Sequence, residues 1–161
     1  MIGPILALAF WSAAGRHPRE ITHERVRADH WTVDVRRDSF TGETQCVLRG
    51  PDVTLSHQVL TFRFRPSVDT ANALFRADLG PVRNVGLMGP EAAGLGARLS
   101  SDDLGNPSGG RVHIPAHYLR STKSVRIRPN PRGNDKVFDL GGLDAAVAAA
   151  NQKGCGVQSP T

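Results

Sequence analysis

The stretch Ser101-Asp-Asp-Leu-Gly-Asn-Pro-Ser-Gly-Gly110 places two adjacent carboxylates, an Asn, two serines and three glycines within ten residues. Asp102, Asp103, Asn106 and Ser108 are the hard oxygen donors that calcium takes in sets of six to eight. Their spacing lacks the alternating D-x-D-x-D-G frame and the distal glutamate of a calcium loop. The same residues suit a capped turn. Asp and Asn bond local backbone N–H groups, Pro107 fixes φ, and Gly109-Gly110 allow a sharp entry into the next strand. The stretch therefore reads as a turn.

Histidine and serine chemistry meets similar objections. His113 and His117 have the four-residue spacing of a helical metal pair, but Pro115 lies between them and would begin the helix, so they share no helical face. His17, His23 and His30 have no ligand-like spacing, and no H-E-x-x-H glutamate is present. No metal and no cofactor is expected. A G-x-S-x-G nucleophile turn is absent, and Pro107-Ser-Gly-Gly110 only echoes it. Glutamate is scarce, with four in the chain, and no carboxylate pair for glycoside hydrolysis stands out. No catalytic residue is assigned and the chain is not read as an enzyme. A periplasmic hydrolase with a Ser/His/Asp site near Ser108 and His113 is the alternative.

Arginine carries the strongest signal. The net charge is +5, and 17 of the 20 basic residues are Arg. A GC-rich genome also gives that ratio, so number alone makes no site. Position does more. Arg63 and Arg65, and Arg126 and Arg128, alternate with apolar residues and so point outward from two strands. If those strands are neighbours, four guanidiniums line one sheet face. That face suits the phosphate or carboxylate groups of an anionic envelope polymer or an acidic protein. Nucleic acid is not expected as a partner, because the aromatic residues that stack bases are not interleaved with the arginines.

The elements that would position these residues are mostly strands. Trp31-Thr-Val-Asp-Val35 alternates with period two, Asp38–Gly42 is a turn, and Thr44–Leu48 returns as a hairpin. Val53–His57 and Gln58–Arg65 follow, with Leu60, Phe62 and Phe64 inward and Pro66 as terminator. Residues 71–77 read as a strand or short helix. Gly80 to Gly96 reads as a loop with a helical turn near Glu91, and Ala97–Ser100 and Arg111–Ile114 as strands. Pro115–Leu119 suits one helical turn. Ser124–Arg128 and Lys136–Leu140 complete the strands. One segment is clearly helical. Leu143–Lys153 is Ala-rich, carries an apolar stripe at Leu143, Ala146, Val147 and Ala150, and stops at Gly154. Short strands at hairpin spacing with one terminal helix define an all-β fold, an antiparallel β-sandwich or barrel with a C-terminal α-helix.

At 161 residues, 39% of them hydrophobic, the chain is long enough for one domain with its own core. Residues 1–15 carry no charged side chain. The run is too short to span a bilayer and fits the apolar region of a signal peptide, although no basic residue precedes it. Residues 16–155 form the single β-rich domain and 156–161 a flexible tail. No transmembrane segment is expected. Export would favour pairing Cys46 with Cys155, and neither lies in a C-x-x-C motif.

The Trp-led strand (Trp31–Val35), the Cys-bearing strand (Cys46–Leu48) and the closing strand, glycine and Ala-rich helix (Phe138–Ala150) resemble the invasion-associated locus B family of small exported bacterial β-proteins. The resemblance covers the first and last quarters of the domain. Val35-Arg-Arg37 lacks the cysteine that often follows the Trp strand in that family. The resemblance implies an envelope location and a non-enzymatic role, and supplies no catalytic residues. The reading is a periplasmic or secreted binding or structural protein. A cytosolic module binding anionic partners through its Arg face is a further alternative.

The turn reading of Asp102 and Asp103 is checked by calcium titration. Asp102→Ala with Asp103→Ala is expected to shift the melting temperature modestly, and calcium to leave it unchanged. A calcium-dependent rise lost in the double variant contradicts the turn.

Overall fold

Alternation builds the first sheet. Trp31, Val33 and Val35 are buried, whereas Thr32, Asp34 and Arg36 turn the other way, because successive strand side chains point to opposite faces. The computed structural model describes residues 21–96 and 109–158. Among them run β1 (Ile21–Ala28), β2 (Trp31–Asp38), β3 (Thr44–Gly50), β4 (Val53–Ser56), β5 (Val59–Arg63), β6 (Leu74–Ala77), β7 (Arg83–Asn84), β8 (Arg111–Pro115), β9 (Ser124–Arg128) and β10 (Lys136–Asp139). Helix α1 spans Gly89–Gly94 and α2 spans Leu143–Gln152. The expected segment 1–15, the strand at 97–100 and the turn at 101–108 lie outside the described residues.

The strands form two antiparallel sheets, one of six in the order β1-β2-β3-β4-β5-β8 and one of four in the order β10-β9-β6-β7. This is the all-β, sandwich-like architecture with a C-terminal helix that the periodicity predicts. The sheets meet through apolar side chains. Phe138 of β10 packs edge-on against Phe62 and Phe64, with centroids 5.0 and 5.4 Å apart. Lys136, at the same rim, bonds Asp52 at 2.8 Å. On the other half of the six-stranded sheet, α2 packs against β1, β2 and β3, burying the predicted stripe Leu143, Ala146, Val147 and Ala150. Its alanines permit a close approach. Among the described residues no helix is long and apolar enough to cross a membrane.

Several elements differ from the sequence reading. Strand β1 was not foreseen. Its sequence, Ile-Thr-His-Glu-Arg-Val-Arg-Ala, has few apolar residues because it is an edge strand with much of its surface in water. Of the two alternatives read for residues 71–77, strand or short helix, residues 74–77 take the strand. The segment read as one strand to Arg65 ends at Arg63. Beyond it the Phe64 N–H donates to Gly110 O at 2.7 Å. A Cβ on Gly110 would lie 2.3 Å from Arg65 O, so this chain crossing requires glycine. Between β4 and β5, His57 and Gln58 both hold positive φ, 49° and 62°, as a two-residue hairpin turn of matching twist demands.

Helix α2 is fastened at both ends. Upstream, the Trp31 Nε1–H donates to Gly141 O at 2.8 Å, and Gly142 takes φ 71° where a Cβ would lie 2.6 Å from Asp29 Oδ2. Downstream, Lys153 pairs with Glu24, Arg37 donates to Lys153 O at 2.8 Å, and Cys155 is disulfide-bonded to Cys46 of β3 with Cα atoms 5.7 Å apart. The bridge ties residues 109 apart in sequence, a span for which loop entropy gives roughly 4–5 kcal/mol. Reduction should therefore lower the unfolding free energy by about 4 kcal/mol in urea titrations of oxidised and reduced protein. Equal stability of the two forms contradicts this role.

Candidate anion-binding site

The register carries arginine across the outward face of the six-stranded sheet. Thr32 is opposite both Arg27 and Arg49, Arg49 is opposite Thr54, Thr54 opposite Thr61, and Thr61 opposite His113. Paired residues share a face, so this chain of pairs is one row across the whole sheet. The flanking rows add Arg25 beside Asp34, Arg36 beside His23, and Arg63 beside Arg111. Six arginines thus project from one face. Two strand carboxylates, Asp34 and Asp38, accompany them.

Those carboxylates are already engaged. Asp34 accepts from Arg25 Nε at 2.7 Å and Arg49 Nε at 2.8 Å. Burial raises its pKa, but these two hydrogen bonds and the guanidinium charges outweigh it and hold the group below the ordinary carboxylate value. Asp38 accepts the Phe40 and Thr41 N–H groups of its own turn. Arg63 donates to Thr54 Oγ1 at 3.0 Å. Among the described residues Arg27 and Arg36 meet no carboxylate, and both are exposed. The face is a broad cationic surface dotted with hydroxyls. It can hold several anionic groups at strand-to-strand spacings of about 5 Å.

The four arginines expected to line one face are divided. Arg63 belongs to this face, and Arg65 lies beyond the end of β5. Arg126 and Arg128 are on β9, in the other sheet. The chain leaves the first sheet beyond Arg63, and alternation within a strand carries no information about which strand lies beside it. On the outward face of the four-stranded sheet Arg126 stands opposite Arg76 and Arg128 opposite Leu74. Arg128 is held by Asp135, with Nε–Oδ1 at 2.7 Å. That bond first, helped by the charges of Arg128, Arg126 and Arg76, holds Asp135 below the ordinary carboxylate value against the opposing effect of burial. The sequence reading missed Arg76, although its alternation with Phe75 and Ala77 was a usable signal.

The residues of the hydrolase alternative are differently placed. Ser108 lies outside the described residues. His113, half-buried, has Nδ1 3.0 Å from Thr61 Oγ1, and no carboxylate orients it among the described residues. His117 sits 3.3 Å from Glu91, which also accepts from Tyr118 OH at 3.1 Å. Cys46 and Cys155 are consumed by their bridge. Among the described residues no three metal-ligating side chains cluster.

Compared with known proteins, the chain matches no family model, no curated protein and no solved structure. Its class rests on fold and surface: a two-sheet antiparallel β-protein, tied by a disulfide, with arginine on both outward faces.

His113 gives the site a pH signature. Burial, and then the charge of Arg111, lowers its pKa below 6.5. As pH falls through the ordinary histidine value, the unfolded chain takes the proton first. Stability present above about pH 6.5 is therefore lost as pH falls toward the folded-state value. His113→Gln should flatten the decline in melting temperature between about pH 7 and about pH 5. An unchanged decline contradicts a neutral, half-buried His113.

Proposed function

We propose that this chain is an exported protein of the bacterial periplasm or cell envelope that binds an anionic polymer through the outward face of its six-stranded sheet. The observation that carries this reading is the register, which puts Arg25, Arg27, Arg36, Arg49, Arg63 and Arg111 on one face with two engaged carboxylates. A compact ligand would use one or two of these groups, whereas a polymer with repeating charges can engage them across the sheet. Exposed arginines of this kind speed association and confer selectivity for charge more than they confer strength at any one contact.

The disulfide supports the compartment. Structural disulfides form and persist in oxidising environments and are rare in the cytosol. The resemblance of the Trp strand, the Cys strand and the closing helix to the exported invasion-associated locus B proteins supports the same location and a binding or structural role.

Alginate, a polyuronate, is a suitable probe. The protein should bind it in low salt and release it as salt rises, because exposed charges are screened beyond about 8 Å at physiological ionic strength. Arg27→Gln with Arg36→Gln should weaken binding roughly tenfold, in line with exposed charge pairs, with an unchanged melting temperature. Salt-insensitive binding, or full affinity in that variant, contradicts the proposal.

A further inference from the structure

The outward face of the four-stranded sheet has a different problem to solve. There β6 and β9 place Arg76 directly opposite Arg126, and like charges in that position destabilise a sheet. Arg128 follows on the same face. One carboxylate answers these three guanidiniums, and both its oxygens go to Arg128, at 2.7 Å from Nε and 3.4 Å from Nη2. The cluster keeps a surplus of two positive charges. Arg76 adds a second, independent observation: its Nε is buried and, among the described residues, has no hydrogen-bond partner. A buried donor of a charged group left without an acceptor is costly. The Arg76 side chain also lines a cavity of about 280 Å³, together with Arg126, Arg128, Asp135, Leu74 and Val82.

We propose that this cavity binds a phosphomonoester group. The surplus of two charges matches such a group, which carries about −1.5 to −2 near pH 7. Its three acceptor oxygens, set tetrahedrally, can take hydrogen bonds from two guanidinium forks approaching from opposing strands. A lone carboxylate is filled by one fork, as Asp135 is by Arg128. Bridging Arg76 and Arg126 at the cavity wall removes their repulsion. Arginine suits the task better than lysine, because its planar fork is already arranged for bidentate bonds. Leu74 and Val82 give the wall an apolar part that contacts the organic portion of the ester. Leu79, 92% exposed, lies on the same loop as Val82, 63% exposed. The site is on the other sheet from the polymer face and does not depend on it.

The phosphoryl group has two sources, a soluble ester or a lipid headgroup, and the recognition chemistry is shared. The test has one arm for each. Melting temperature is measured at fixed ionic strength with glycerol 3-phosphate, using chloride as the control. Co-sedimentation is measured with phosphatidylcholine vesicles with and without phosphatidic acid. The native protein should respond in at least one arm. Arg126→Gln should melt no lower than the native protein without phosphate, since it relieves the repulsion, yet bind about tenfold more weakly or worse, as expected for a lost charge-assisted bond. Arg76→Gln should lose the response as well. The Arg27→Gln, Arg36→Gln variant should keep it while losing alginate, so failure of one site is separable from failure of the other. A response to phosphatidic acid alone assigns the lipid source, and a response to glycerol 3-phosphate assigns the soluble one. No response in either arm, or a full response in folded Arg76→Gln and Arg126→Gln, overturns the proposal.

Discussion

The burial of Trp31 fixes the rest of the molecule. Its ring is fully buried and lies so close over Gly50 that a Cβ there would come within 3.2 Å of it. Its indole N–H is satisfied by the carbonyl that leads into α2. One side chain thus sets where β2 begins, which residue of β3 lies beneath it, and where the closing helix starts. Strand side chains have a period of two, so a slip of one residue would exchange the faces of the sheet. Here it would drive Arg36 and Asp34 into the core and expose Trp31, Val33 and Val35. The same constraint that builds the core therefore builds the cationic face.

The helix completes this arrangement by covering the inner side of β1 to β3. Alanine contacts alone would hold it weakly, which is why its ends are tied by a disulfide, an ion pair with Glu24 and the hydrogen bond from Arg37. With the inner face closed by α2 on one half and by the four-stranded sheet on the other, basic residues on the strands are left to water. Asp34 relieves two arginines and Asp135 one. The pair Arg76 and Arg126 feels the charge of Asp135, but that carboxylate gives its hydrogen bonds to Arg128, and the cavity beside the pair is lined by all three guanidiniums.

Much of this was readable from the chain. The alternation of Trp31, Val33 and Val35, the inward set Leu60, Phe62 and Phe64, and the stripe of α2 follow from periodicity alone, and the structure buries each of them, Phe64 in part. Cys46 and Cys155 were paired on the expectation of export, and the structure joins them in a disulfide. What sequence could not supply was adjacency. Arg63 and Arg126 both point outward, as alternation requires, but they lie on different sheets, and no local pattern states which strands are neighbours. Strand β1 was hidden because an edge strand needs little apolar surface, and with it went Arg25 and Arg27. Arg76 was obscured by the ambiguity of Ala71–Ala77, where a short apolar run fits helix and strand equally.

The central claim is that register places one continuous cationic surface on the six-stranded sheet and that an anionic polymer lies along it. NMR observation of arginine Nε–Hε signals during titration with short uronate oligomers tests this most directly. The account predicts shifts at Arg27, Arg36, Arg49 and Arg63, which span four strands, with Arg76 and Arg126 unmoved. Shifts confined to Arg76, Arg126 and Arg128, or spread evenly over every arginine, would contradict it.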